Sequence, residues 1–223
     1  EVMASNSVVS SSRILAAANG VALVVDGDNN LVHTNFIQSE GDIEMSVFQN
    51  NGVGNEVYFN TFRMDGVHPN SSVWQEGSTT GTMARNNLLV NYGGGVTLKA
   101  TGSTFDFDHN NYHSTGSILA AVNEVELPDL SALQGVNGSD SSSLNVDPYF
   151  ETTDSTYPNH GALDGAAVTI SDIEVDLEGA PRDPTSPDIG AVEFEGCDLD
   201  TDVDEDLICD QVDPCVGYID ECG

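Results

Sequence analysis

Val32-His33-Thr34-Asn35-Phe36-Ile37 decides the fold, because it comes back. Val57-Tyr58-Phe59-Asn60-Thr61-Phe62 lies 25 positions on. Met83-Ala84-Arg85-Asn86-Asn87-Leu88 lies 26 further, and Phe107-Asp108-His109-Asn110-Asn111-Tyr112 lies 24 beyond that. Met3-Ala4-Ser5-Asn6-Ser7-Val8 sits 29 upstream of the first copy. The shared template is apolar, any, any, Asn, any, apolar. A period in the twenties marks a repeat architecture, in which each unit buries its apolar face only by stacking on its neighbours.

The repeat is not helical. Its apolar residues cluster in short runs rich in Val, Ile, Phe and Tyr, separated by Gly, Asn, Ser and Asp, which is the punctuation of strands and turns. Asn6, Asn35, Asn60, Asn86 and Asn110 then form a column. Side-chain amides stacked at about the 4.8 Å strand spacing can hydrogen-bond as a ladder. The reading is an all-β parallel β-helix over residues 1–120, with a second strand ahead of each template at Val21–Val25, Ile43–Phe48, Ser72–Gln75 and Val96–Leu98. Gly27, Gly52, Gly81 and Gly102 mark the turns between the two strands.

Charge narrows the function. Five Lys and Arg stand against 37 Asp and Glu, a formal charge of −32. Such a surface excludes nucleic acid, which needs neutralising cations, and disfavours an anionic membrane. It suits calcium or a saline medium. The longest apolar run, Ile14–Val25, is broken at Asn19-Gly20 and falls short of the roughly 20 residues that span a bilayer. The template begins in mid-coil, which predicts a piece of a longer secreted protein with further domains in the same chain.

Residues 121–195 read as irregular closing coils that cap the solenoid. Pro128–Leu133 predicts a short helix capped by Asp129. Asn145–Phe150, Val168–Val175 and Ile189–Phe194 are strand candidates. Ser143-Leu144-Asn145-Val146-Asp147-Pro148-Tyr149-Phe150 resembles a segment found late in secreted bacterial right-handed parallel β-helix proteins of the pectate-lyase-like superfamily. Asp176-Leu177-Glu178-Gly179-Ala180-Pro181-Arg182 and Pro187-Asp188-Ile189-Gly190-Ala191-Val192-Glu193 resemble the closing signature of that group. The resemblance covers about residues 1–195. It implies a right-handed coil and secretion, and says little about activity. Asp176, Arg182, Asp188 and Glu193 are expected to be ion pairs and turns of the cap.

Residues 196–223 carry the densest chemistry. Asp202, Asp204, Asp206, Asp210 and Asp213, extended upstream by Asp198 and Asp200, alternate with other residues ahead of Cys215. Calcium takes six to eight oxygen ligands in a wrapping loop. The run resembles the thrombospondin type 3 calcium repeat, with Leu207 where that family has Gly. The resemblance implies Ca2+ ligands at Asp202, Asp204, Asp206, Asp210 and Asp213; a solvated acidic linker is the alternative. Cys197, Cys209, Cys215 and Cys222 read as two disulfides whose pairing stays open. Zinc is the rival, and the spacing lacks its close Cys pairs.

The resemblance implies polysaccharide lyases or hydrolases. A lyase abstracts a proton beside a uronate carboxylate with a Lys or Arg base and a neutralising cation, whereas a hydrolase uses two facing carboxylates, which 37 acids cannot single out. Arg13, Arg63, Arg85, Lys99 and Arg182 are the only base candidates. Arg85 is expected to stack on His109, with Asp106 and Asp108 facing out in columns with Glu56 and His33. The first expectation is a structural, adhesive or glycan-binding module of a secreted or cell-surface protein, partnered by polysaccharide or other surface components. The second is a calcium-dependent lyase.

Overall fold

The computed structural model describes residues 1–16, 20–41, 46–77, 81–102, 105–150 and 152–197. The repeat winds into a parallel β-solenoid. Each coil carries three strands, one more than the sequence pattern resolves, because the Asn template is itself two strands joined at a bend. The first coil holds β1 (Val8–Ser10), β2 (Arg13–Ala16) and β3 (Leu23–Val25). The second holds β4 (Leu31–His33), β5 (Phe36–Ser39) and β6 (Ser46–Asn50). The third holds β7 (Glu56–Tyr58), β8 (Thr61–Met64) and β9 (Ser72–Glu76). The fourth holds β10 (Thr82–Arg85), β11 (Leu88–Asn91) and β12 (Val96–Ala100). The fifth holds β13 (Phe105–Asp108), β14 (Asn111–Ser114) and β15 (Ala120–Val122). Each strand pairs in parallel with its counterpart one coil away, giving three sheets along the axis. β16 (Val125–Leu127) closes the third sheet by pairing antiparallel with β15.

The interior is built from files of inward residues. Val32, Val57, Ala84 and Phe107 form one file. Ile37, Phe62, Leu89 and Tyr112 form a second. Leu23, Phe48, Trp74, Leu98 and Ala120 form a third. All are buried. Trp74 meets Phe48 at 4.8 Å and Phe107 at 5.0 Å between ring centres. Burying such a side chain contributes roughly 1.5–3 kcal/mol, so the files carry most of the stability.

The bend between the first and second sheets holds the Asn ladder. Asn35 N–H and Nδ2 both donate to Asn60 Oδ1, at 3.1 and 3.0 Å. Asn60 repeats this on Asn87, and Asn87 on Asn110. Each Nδ2 also donates to backbone carbonyls, for Asn60 those of Val32 and Tyr58. The fourth rung is Asn87, not Asn86. The template there runs from Ala84 to Leu89, one residue later than the sequence pattern places it. The more apolar Met83 masks the small inward Ala84, and two adjacent asparagines hide the slip. Asn86 instead takes the left-handed position before the rung (φ 63°), with Thr34, Phe59 and His109 in the other coils. The copy at Met3 is also displaced. Ser12 occupies the first coil's ladder position and donates its N–H to Asn35 Oδ1. Asn6 lies at a different bend, its N–H on Asp28 O.

Between the third and first sheets the coils approach so closely that a side chain is excluded. A Cβ on Gly52 would lie 1.8 Å from the Gly27 carbonyl oxygen. A second polar file fills this corner, with Ser7 N–H on Asn30 Oδ1 and Asn30 N–H on Asn55 Oδ1.

The later chain does two jobs. α1 (Leu130–Asn137) forms as expected, Asp129 accepting the Ala132 N–H at its start. It buries Leu133 in the solenoid core. Asp140 follows, fully buried, accepting from Tyr112 Oη and Ser143 Oγ. Ser143 Oγ ends the ladder by taking the Asn110 N–H. From Leu144 onward the chain runs back along the outside of the coils. Val146 bonds Asn111 in the fifth coil, Asp147 meets Tyr92 in the fourth and Thr152 meets Arg63 in the third. Thr153 meets Gln38 in the second, and Glu178 pairs with Arg13 in the first. Asn145–Phe150, Val168–Val175 and Ile189–Phe194 form no strands; isolated bridges join Leu144 to Asn111, Val175 to Pro181 and His160 to Cys197.

Candidate functional site

A cleft of about 540 Å³ opens on the outer face of the third sheet. Lys99 stands in it, between Gln75 and Ala121 on neighbouring strands. Asn70, Ser71, Gly95, Glu124 and Glu126 are among its lining. The glycine run at 93–95 shapes one wall. A Cβ on Gly95 would lie 2.2 Å from Ser71 O, and Gly94 sits at φ +85°. Among the described residues Lys99 makes no ion pair, whereas the four arginines all do. The cleft therefore offers one ammonium with three donors, two carboxylates and neutral amide and hydroxyl groups. That set suits a polyhydroxylated ligand carrying an occasional acid.

The arginines are committed to structure. Arg63 is buried, donates to Asp65 at 2.8 Å and to the Thr152 carbonyl, and lies 4.6 Å over the Phe150 ring. Arg182 is buried under the outer chain. It pairs with Glu193 at 2.8 Å, donates to the Gly190 and Ala191 carbonyls, and lies 4.0 Å over Phe59. Asp176 accepts three backbone N–H groups and Asp188 two. The closing signature is thus ion pairs and turns, as expected, but it pins the outer chain to the flank. Burial pushes the Asp188 carboxyl up to about 6.

The outer face of the first sheet holds the expected columns. His33 shares a file with Asp108, and Glu56 shares one with Asp106. The expected Arg85–His109 stack is not formed. Arg85 faces Asp108 across the ladder and reaches Asp106 Oδ1 at 2.6 Å. His109 sits one position later, in the bend. The same one-residue slip caused this error. Tyr58 lies in the Asp108 file, its hydroxyl pushed up to about 12 by burial and the Glu56 carboxylate. A more apolar cleft of about 580 Å³ lies where the outer chain crosses Phe59, lined by Ile170, Ile173 and Pro184. On the second sheet Tyr92 Oη donates to Asp147 at 3.0 Å, and His113 Nε2 lies 3.4 Å from the other oxygen. Burial lowers the His113 pKa, against the pull of Asp147.

The calcium ligands expected at Asp198, Asp200, Asp202, Asp204, Asp206, Asp210 and Asp213 lie outside the described residues. Among the described residues no three His, Cys, Asp or Glu gather as a metal site. Cys197 is disulfide-bonded. Sequence reasoning named Lys99 but not its neighbours Glu124, Glu126, Asn70 and Ser71. The Gly93-Gly94-Gly95 run was the available signal, since three glycines in a β-solenoid mark a tight loop beside a strand end. A scan against protein-family models and a comparison with curated proteins both found no match.

Proposed function

We propose that this chain is a section of a secreted or cell-surface protein that acts as a rigid structural and glycan-contacting module. The coil is taken as right-handed and pectate-lyase-like. The left-handed residue followed by a stacked Asn at the bends of the second to fifth coils, and the closing signature on the flank, support that reading. The acidic tail is a calcium-stiffened connector to further domains, and the bonded Cys197 supports an oxidising compartment. The observation that carries the functional reading is the division of the cations. Four arginines are engaged in ion pairs within the chain, and Lys99, which makes none among the described residues, lines a cleft. On a surface of net charge −32, an open ammonium marks where an acidic or hydroxyl-rich sugar gains most.

The test is retention on acidic and neutral polysaccharides, with and without calcium, for wild type and Lys99→Ala. Loss of retention in the variant supports the reading, and unchanged retention overturns the assignment of the cleft. A lyase is the second reading, favoured by Lys99 lying beside Glu124 and Glu126. Turnover of a uronate polymer, abolished by Lys99→Ala but not by Arg85→Ala, would replace the binding role with catalysis. For the tail, Asp204→Ala combined with Asp206→Ala is expected to abolish calcium uptake measured by calorimetry. Undiminished uptake would remove these ligands.

A further inference from the structure

Four polar side chains, Thr82, Glu76, Asn50 and Asn55, meet at the corner between the third and first sheets, with the Trp74 indole against them. Thr82 Oγ donates to Glu76 Oε1 at 2.7 Å. Asn50 Nδ2 donates to the same hydroxyl oxygen at 2.9 Å, so a lone pair of Thr82 faces the Asn50 amide. Asn50 Nδ2 also lies 3.1 and 3.0 Å from the two oxygens of Glu76. The Asn50 carbonyl oxygen accepts from Asn55 Nδ2 at 2.7 Å. Trp74 Nε1 holds Glu76 Oε2 at 2.9 Å. All four residues are buried, Asn50, Asn55 and Thr82 fully and Glu76 at 2% exposure.

We propose that Thr82 and Asn50 become joined by an ester bond after folding. The chemistry is an acyl transfer within the chain. Glu76 takes the proton of the Thr82 hydroxyl as general base. Thr82 Oγ attacks Asn50 Cγ. With an amide C–N bond of about 1.33 Å, the oxygen stands no more than about 4.2 Å from that carbon. The Asn55 amide donates to the oxygen on which negative charge develops. The Cγ–Nδ2 bond breaks, Glu76 passes its proton to the departing nitrogen, and ammonia leaves. One C–O bond replaces one C–N bond, no electron is gained or lost, and no co-reactant is consumed. Holding both partners in a dry site supplies the large effective concentration that an amide, a poor acyl donor, requires.

The stack places each group for this role. Asn50 and Glu76 are Cα partners on adjacent coils. Thr82 immediately precedes Met83, the partner of Glu56, so it sits where Asn55 sits one coil earlier. The bond would tie positions 32 residues apart. It would staple the second coil to the fourth at the corner where Gly27 and Gly52 bring successive layers into close backbone contact.

The experiment is mass spectrometry of the reduced, folded full chain. The expected mass is that of the sequence less one ammonia. Trypsin should release residues 14–63 and 64–85 as one joined species, and mild alkali should separate them, since an ester is alkali-labile and an amide is not. Thr82→Val and Glu76→Gln should each restore the full mass and two separate peptides. A wild-type chain of full mass overturns the proposal. So does an ammonia loss confined to the 14–63 peptide alone, which is cyclisation of an asparagine on its own backbone. Wild-type mass decides the matter even if a variant fails to fold.

Discussion

The coils and the outer chain solve the same problem by opposite means. In the coils a residue is stabilised by its equivalents above and below, so one pattern serves every layer. In residues 144–197 there is no repeat, and backbone N–H groups are taken one at a time by carboxylates: Asp176, Asp183, Asp188 and Glu193 between them accept nine. The difference teaches where damage should spread. A defect in a file propagates to both neighbours, whereas a defect in the outer chain frees one segment from the flank.

Asn60→Ala tests the first half of that contrast. It strands the Asn35 N–H and takes a donor from the Val32 carbonyl in a buried bend, at about 1–3 kcal/mol for each unsatisfied group, while the Tyr58 carbonyl keeps the Thr34 N–H. Chemical denaturation should show a loss of roughly 4 kcal/mol with the whole solenoid affected. A loss below about 1 kcal/mol would show that the ladder is dispensable.

Arg182→Ala tests the second half. Removing one partner of a buried ion pair costs about 3–5 kcal/mol. The loss should be local: hydrogen exchange should quicken across 163–194 while β5, β8 and β11 keep their protection. Equal loosening of the strands would show that coil and flank form one cooperative unit.

Acidity sharpens the comparison at the end of the coil. Burial raises the Asp140 carboxyl above its usual range, and burial likewise raises Asp188 to about 6. A raised folded pKa means that the native state holds these protons more tightly than the unfolded chain does. The Asp188 contribution is then best below about pH 4 and declines as pH rises to about 6, and that of Asp140 declines as pH rises above the usual carboxylate range. Asp140→Asn keeps an acceptor for Tyr112 and Ser143 without the charge. Its melting temperature relative to wild type should climb as pH rises above the usual carboxylate range, and a constant offset would refute the linkage.

Arg13→Ala should do least. Its pair with Glu178 is half exposed, and such pairs are worth about 0.2–1 kcal/mol. A larger drop in denaturation midpoint would mean that the first coil depends on the outer chain.

Much of the solenoid was legible because stacking makes the interior periodic. Phe36–Ile37 and Thr61–Phe62 announce their register by alternation alone. The slip at Asn86 and Asn87 arose where inward Ala84 was small and outward Met83 large, since Met83 packs under the outer chain. The third strand of each coil was missed because two residues, left-handed Thr34 and the ladder Asn35, and not a loop, separate β4 from β5. The path of residues 144–197 was not legible. Its partners stand as far as 165 positions away, and nothing local encodes them. Lys99 could be named from composition, but its cleft is assembled from three separate turns of the chain.

The ladder has a direction. Each rung's N–H is satisfied only by the turn that follows it, and the last acceptor, Ser143, comes after the helical lid. A chain emerging from its amino end would therefore carry, at every stage, one newest layer whose donors still wait on water. Growth would be self-templating, and the serine would act as the stop that releases a finished stack from that wait.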